Sequence, residues 1–543
     1  AYHTKVPPEG SRAYLEHYTR PGDIVLDPFC GSGMTGIACL LTGRRAVLND
    51  LSPAATHIAA GYTQPVDLAA VRTAWRRVED AVADECARLY TTRCERCGGR
   101  ATIQYTVWSD TYGCANCGAE IVLWDAAVVR EGHYDPPLSD RADVSGPWRP
   151  PDPASAGKPR GAVLERFACP RCLVHWNKRD LSRRDTAPVL IDLECDGACR
   201  PRRTARPPLL LDLERIDAIA AEADRHWAPE TPFDETREMW RGGHRDAGVT
   251  RARYFWTPRN LAALAAVWDA IGHEPVSVQG ALRFAFTASL ARVSRMRRFL
   301  IAGSGIVSGT LYLPSLSLEV HVPNLLRKKM RDFEAARAAL GPAQRRADVV
   351  VRTGSATDLH DVPDASIDYV FTDPPFGSNI FYADCSFPWE AWLGCYTDER
   401  QEAVWNKSRR PEQGGKSLTQ YAALMTASFR EMHRTLKPGR WASVVFHNSD
   451  DRVWDAIRDA AAAAGFELVN ALAFDKEQRS FKGIKGEKGE ERVTNFDIVL
   501  NLRKRASGAP TPERGTGQMS TTADDEGIAP AERRRRGSRP RPG

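Results

Sequence analysis

Two short stretches of this 543-residue chain combine residue types that do chemistry. The first is Asp27-Pro28-Phe29-Cys30-Gly31-Ser32-Gly33-Met34-Thr35-Gly36. Glycines in such a turn let the backbone approach a ligand closely, and a helix opening behind them offers N–H groups to an anion. Asp50 follows Gly33 by 17 residues, near the spacing at which a carboxylate accepts hydrogen bonds from ribose hydroxyls. Gly31, Gly33 and Gly36 also fall at the GxGxxG spacing, which taken alone is shared by many glycine turns of α/β proteins. The second stretch is Thr372-Asp373-Pro374-Pro375-Phe376. Two prolines stiffen it and remove two N–H donors, which leaves the Asp373 carboxylate and a proline carbonyl as acceptors beside an aromatic face. That set suits a planar ring carrying an exocyclic NH2, with the amine held by the acceptors and the ring stacked on Phe376.

A third group is metal-binding in character. Of 13 cysteines, eight lie between Cys94 and Cys199. Cys94-x2-Cys97 and Cys114-x2-Cys117, separated by 16 residues, form one expected four-thiolate set. Cys169-x2-Cys172 and Cys195-x3-Cys199, separated by 22, form the second; His175 reads first as a surface histidine and only second as a substitute ligand. Four thiolates bind zinc tetrahedrally and leave no open position, so two structural zinc ions are expected.

These residues need elements to position them. Residues 23–29 and 44–50 read as strands on either side of a helix at Met34–Leu41, and Ser52-Pro53 opens another helix. Strands are expected again at 347–352, 367–371, 441–446 and 495–502, with helices near 418–436 and 451–464. A parallel-sheet pattern therefore appears twice, split by an insertion. The expected division is 1–90 for the first half of this domain, 91–210 for the cysteine-rich insertion and 211–345 for a mainly helical region. The second half spans 346–505, and 506–543 is a disordered basic tail carrying Arg533–Arg536.

The net charge of +6 arises from 75 basic and 69 acidic residues. It permits a polyanionic partner without requiring one. Residues 91–210 hold 18 basic and 15 acidic residues, a net of +3, and further basic runs lie at Ala291–Arg298 and Arg327-Lys328-Lys329. No apolar run approaches the roughly 18–20 residues that span a bilayer. Ala1 begins without a charged-plus-apolar leader, so a cytoplasmic, reducing setting is expected, in which paired cysteines serve as metal ligands.

Asp27–Gly36 resembles motif I, and Asp373–Phe376 motif IV, of the S-adenosylmethionine-dependent amino-methyltransferases that act on DNA. His3–Glu9 with Tyr18–Asp23 is similar to the segment before motif I, and Val351–Leu359 to the next cofactor motif. The resemblance covers about residues 1–65 and 347–502. It implies a Rossmann-like class I α/β methyltransferase sheet, interrupted by the zinc-binding and helical insertion. It implies S-adenosylmethionine over Gly31 and Gly33, with Pro28 and Phe29 in the same turn, Asp27 and Lys5 near the methionine end, Asp50 at the ribose and Ser355 toward the adenine. Asp373, Pro374, Pro375 and Phe376 become the catalytic set. The implied substrate is an exocyclic amine in double-stranded DNA, adenine N6 ahead of cytosine N4, because Asp opens motif IV. C5 methylation is set aside because this motif carries no cysteine nucleophile. The rival readings are an RNA methyltransferase making guanine N2 or adenine N6 products, and a zinc-dependent DNA-binding subunit. By analogy, restriction or phage-defence proteins would be the partners.

Overall fold

The computed structural model describes residues 8–130, 161–222, 225–300, 303–346, 348–378, 380–406, 409, 411–448, 450–475 and 496–506. Residues 1–7 with Lys5, the Pro-rich stretch 135–153 and the tail after 506 lie outside them.

Seven strands carry the site: β1 Ile24–Asp27, β2 Arg45–Asp50, β3 Val349–Thr353, β4 Ile367–Thr372, β5 Leu436–Phe446, β6 Glu467–Asp475 and β7 Phe496–Arg503. Their order is β3-β2-β1-β4-β5-β7-β6. Strands β1 to β5 are parallel, and β7 runs antiparallel between β5 and β6. The central strands are buried on both faces, which is why they read as unbroken apolar runs; all six residues of β4 are buried. Successive residues feed two cores. Leu26 and Val370 face helices Leu418–Thr435 and Asp451–Ala463, whereas Val25, Tyr369 and Phe371 face helices Pro8–Tyr18 and Met34–Thr42. The order in which strands are added reverses between β1 and β4, and in such sheets ligands bind beyond the carboxyl ends of the strands at that switch point.

Strand β6 escapes a sequence reading. It lies at the sheet edge with Leu468, Val469 and Leu472 each more than 40% exposed, and its register with β7 slips between Leu468 and Asn470.

The insertion enters after β2 and returns at β3. Helices Pro53–Thr63 and Leu68–Tyr90 lead into a second sheet, whose centre is the antiparallel pair Arg100–Gly113 and Ser182–Cys195, each 14 residues long. This long ladder corrects the expectation of a stretch built mainly of cysteine turns and connections. Strands Leu316–Val320 and Arg298–Leu300 join the same sheet, so the helical region contributes to it directly. The basic run Ala291–Arg298 thus starts in a 3-10 turn at Leu290–Val293 and ends at the first residue of strand Arg298–Leu300.

Helices Pro258–Gly272, Val276–Thr287 and Val322–Ala339 pack with Leu68–Tyr90 around one large core, to which helix Tyr382–Leu393 adds Phe387, Ala391 and Trp392. The buried Arg259 guanidinium meets Glu319 at 2.9 Å and Thr106 at 3.1 Å, pinning helix Pro258–Gly272 to two strands of the second sheet. No helix among the described residues is long and apolar enough to cross a membrane.

Candidate active site

Asp27 closes β1, and the chain then turns at Gly31, with φ +49°, and Gly33, with φ +77°. A Cβ on Gly33 would sit 2.7 Å from Ala59 Cβ, and one on Gly36 would sit 2.7 Å from Leu48 Cδ1. The first two glycines therefore shape the turn, and the second and third let helix Met34–Thr42 lie close to β2 and the next helix. The Asp27 carboxylate accepts from Thr35 Oγ1 at 2.6 Å and from Thr372 Oγ1 at 2.8 Å, which bonds the end of β1 to the end of β4 across 345 residues. Burial pushes its pKa up to about 7, against the pull of those hydroxyl donors.

Asp50 closes β2 and accepts from the N–H of Gly31 at 2.8 Å and of Ser52 at 2.9 Å. The first bond holds the glycine turn over the strand end. A carboxylate offers about four acceptor sites, so capacity remains for a ligand. Burial raises its pKa to about 6. Ser52 Oγ donates to Glu390 at 2.7 Å, and Glu390 accepts in turn from Thr397 Oγ1 at 2.6 Å.

Strand β4 delivers Asp373–Phe376 to the same place. Three clamps fix this loop. Tyr421 OH donates to Pro375 O at 2.8 Å, Asn448 Nδ2 to Phe376 O at 2.8 Å and Trp405 N to Gly377 O at 3.2 Å. The Pro374 carbonyl accepts no hydrogen bond from the described residues, so it is the proline carbonyl left over as an acceptor. The Phe376 ring stands edge-on to Phe446, with centroids 5.3 Å apart.

One cleft of about 970 Å³, counted to its open mouth, unites these pieces. Asp27, Pro28, Phe29, Gly31, Asp50, Ser355, Asp373 and Pro375 all line it. Ser355 Oγ lies 2.8 Å from Thr357 Oγ1, a hydroxyl pair where the resembled family often has an acid. Gly33, Pro374 and Phe376 are not among the lining residues and sit beside it in sequence. Cys385, the cysteine nearest motif IV in sequence, is buried against Met239 away from the cleft.

Sequence reasoning missed Ser11, Thr397, Gln401, Glu402 and Ser428, which also line the cleft. Glu402 is buried, accepts from Ala383 N at 3.1 Å, and has its pKa raised to about 7 by burial. It lies in an irregular segment with no repeating pattern, so no sequence signal marks it. The cleft therefore gathers four carboxyl groups, Asp27, Asp50, Asp373 and Glu402.

The cysteines cluster as two sets of four, but the sets are crossed relative to expectation. Cys94 and Cys97 join Cys195 and Cys199, while Cys114 and Cys117 join Cys169 and Cys172. The reason is the ladder. Ala101 pairs with Cys195 at one end and Gly113 with Ser182 at the other, so each end of the two long strands collects one pair from each strand. Sulfurs lie 3.6 Å apart for Cys97–Cys195 and Cys114–Cys172, 3.7 Å for Cys117–Cys169 and 3.9 Å for Cys94–Cys199. A disulfide would need about 2.05 Å. Tetrahedral bonding at about 2.3 Å per metal–sulfur bond sets edges of about 3.8 Å. Gly98 and Gly118, both at φ +70°, make the tight turns behind Cys97 and Cys117. His175 belongs to neither set.

The basic runs divide. Arg327 pairs with Glu79, Lys328 and Lys329 with Asp332, Arg203 with Asp192 and Arg206 with Asp212, so these cations are answered within the fold.

Against known proteins, the similarity is local. A type II methyltransferase of Xanthomonas campestris pv. cyanopsidis, M.XycI, is 39% identical over 74 residues, 14% of this chain and 25% of that protein. M.Cfr9I of Citrobacter freundii is 38% identical over the same length and shares. The chain thus spans about a quarter of the length of these relatives. Among solved structures, a Thermus thermophilus protein described as a DNA modification methylase overlaps 30% of this chain and 54% of its own, at 19% identity and a TM-score of 0.18. The 16S rRNA (adenine(1408)-N(1))-methyltransferase of Catenulisporales acidiphilia overlaps 34% and 75%, at 12% identity and a TM-score of 0.19. Residues 1–61, which include the glycine turn and the carboxyl ends of β1 and β2, match the N6/N4 methyltransferase family described as DNA methylase.

Proposed function

We propose that this chain transfers a methyl group from S-adenosylmethionine to an exocyclic amine of a base in double-stranded DNA, adenine N6 first. The observation that carries the reading is that one cleft is lined by Asp27, Asp50, Asp373 and Pro375, with Asp27 bonded to Thr372 across 345 residues of chain. S-adenosylmethionine supplies an electrophilic methyl on a sulfonium when bound. Four carboxyl groups around the cleft suit a ligand bearing sulfonium and ammonium cations, and that charge would draw the raised pKa values of Asp27 and Asp50 back down. Asp50, already fixed by Gly31 and Ser52, has capacity left for ribose hydroxyls.

The target base would leave the duplex stack to reach Asp373, which sits at the end of a buried strand. The Asp373 carboxylate and the Pro374 carbonyl would accept hydrogen bonds from the amine, and the Asp373 carboxylate would take the one proton that nitrogen gives up as it gains the methyl. Those hydrogen bonds turn the nitrogen lone pair toward the methyl donor and stabilise the charge that develops on nitrogen. Asp in the first position of this motif favours adenine N6 over cytosine N4. Each cysteine set is assigned one structural zinc ion, since the sulfur spacing fits a tetrahedral ion and offers no open position. Residues 211–345 are assigned to target recognition. The type II methyltransferase names of the relatives favour a restriction–modification setting.

The test is transfer of labelled methyl to duplex DNA followed by nucleoside analysis, for the parent protein and Asp373→Ala. N6-methyladenine from the parent is expected, with a rate loss on the order of 100- to 1,000-fold in the variant and cofactor binding retained. N4-methylcytosine would replace the choice of base. Label confined to RNA or protein, or full activity in Asp373→Ala, would overturn the reading of the site.

A further inference from the structure

A second groove, of about 1510 Å³ counted to its open mouth, lies in the insertion between the segments 163–165 and 177–180 and the strands Arg298–Leu300 and Leu316–Val320. Three cations line it. Lys178 and Arg179 come from the 3-10 turn Lys178–Asp180, and Arg298 comes from the strand on the other side. Lys178 Nζ is anchored by Ser315 Oγ at 2.9 Å. None of the three has a carboxylate partner among the described residues, in contrast with Arg327–Lys329. Arg298 Nε is buried without a hydrogen-bond partner there. With Arg298 half-buried and its Nε unbonded beside two exposed cations, the groove presents a positive face that suits a negative guest.

Two acids also line the groove. Asp180 accepts from the Asn177 N–H at 3.3 Å and its side-chain amide at 3.1 Å, and Glu165 is the other negative group, so three cations face two carboxylates. Positive charge continues next to the groove. Arg292 is exposed on the preceding turn, and Arg297 has its pKa lowered by burial and by Arg292. Val163, Leu300 and Tyr312 expose 44%, 43% and 47% of their surface along the groove. Cations interleaved with apolar and aromatic surface match a sugar–phosphate backbone, whose charges repeat and whose sugars are apolar between them.

We propose that this groove seats the backbone of double-stranded DNA, with Lys178, Arg179 and Arg298 meeting phosphates and Tyr312 and Leu300 against the sugars. The proposal rests on the DNA methyltransferase reading and names the surface by which the insertion would hold the substrate.

The test is fluorescence anisotropy of a labelled duplex titrated with the full chain over a series of salt concentrations. The variants are Lys178→Gln/Arg179→Gln, both exposed, and the triple form that adds Arg298→Gln. Arg458→Gln on the distant helix Asp451–Ala463 is the control. Each variant is first shown to bind S-adenosylmethionine as the parent does. The expected result is at least a tenfold loss of affinity in the triple variant. The slope of log affinity against log salt should fall by about 0.9 for each phosphate contact removed. Parent-like affinity and slope in both variants would overturn the groove while leaving the methyltransferase reading intact, because the parent would still methylate duplex DNA. A parent that binds RNA or an acidic peptide through these residues, but not duplex DNA, would overturn both.

Discussion

At the scale of single residues, the cleft stores protons. Asp27, Asp50 and Glu402 all have pKa values raised by burial, to about 7, 6 and 7. A carboxyl whose folded pKa exceeds its unfolded value near 3.8 stabilises the fold fully below that lower value, and the contribution is lost as pH rises through the folded pKa. The ligand-free protein should therefore lose stability between about pH 4 and pH 7. Asp27→Asn should flatten part of that loss. Roughly 1.4 kcal/mol per unit of pKa separation makes the effect a few kcal/mol at pH 8. Thermal melts across this range, without cofactor, measure it. A variant with the parent's full pH dependence would remove Asp27 as its source. The residue scale is also where the sequence was most legible. Asp27, Gly31, Asp50 and Asp373 declare themselves because glycine turns and proline-locked acceptors are local chemistry. Glu402 does not, because its burial is created by elements far from it in the chain.

At the scale of elements, the crossed cysteine sets separate what sequence can carry from what it cannot. All eight ligand candidates follow from their paired spacing, but their partition depends on which strands pair and in what register. That is decided by the ladder between Arg100–Gly113 and Ser182–Cys195. The partition predicts a specific non-additivity. Cys97→Ser and Cys199→Ser should each release one zinc equivalent, and the double variant should still release only one. Cys97→Ser with Cys114→Ser should release both. Elemental analysis of purified protein distinguishes these counts, and loss of a single equivalent from the Cys97/Cys114 pair would restore the uncrossed sets. The two sites also differ in context. Cys94 and Cys195 are fully buried in the large core shared with helices Leu68–Tyr90 and Pro258–Gly272, whereas Cys114 and Cys169 belong to a smaller core. Disrupting the first set should lower the stability of the whole chain more than disrupting the second.

At the scale of the molecule, the insertion is fastened to the helix that follows Asp373–Phe376. Asp384, almost fully buried, meets Arg237 at 3.1 Å and accepts from Met239 N at 2.6 Å, and the Arg237 guanidinium lies 4.1 Å from the Phe387 ring centroid. These contacts bridge the insertion to helix Tyr382–Leu393. Removing one partner of a buried pair costs about 3–5 kcal/mol, because the other charge is left desolvated. Arg237→Ala should therefore reduce methyl transfer at least tenfold while cofactor affinity, set by the ends of β1 and β2, stays close to that of the parent. Arg237→Lys should recover part of the rate. Calorimetry with cofactor beside the methylation assay separates the outcomes, and a parallel fall in cofactor affinity would show general destabilisation instead.

The position of the insertion also dictates a timetable. Strands β1 and β2 are complete by Asp50, yet β1's other neighbour, β4, begins at Ile367, and the N–H of Ile24 is bonded to Asp368, 344 residues later. At ordinary translation speeds of about 5–20 residues per second, the ribosome needs on the order of tens of seconds to deliver that neighbour. During this interval the insertion, whose ladder and both cysteine sets close by residue 199, is available to form first. A nascent chain stalled near residue 346 should resist protease across the insertion's described segments and be cut within residues 8–50. Early protection of 8–50 would mean that the first half of the seven-stranded sheet holds itself together while it waits.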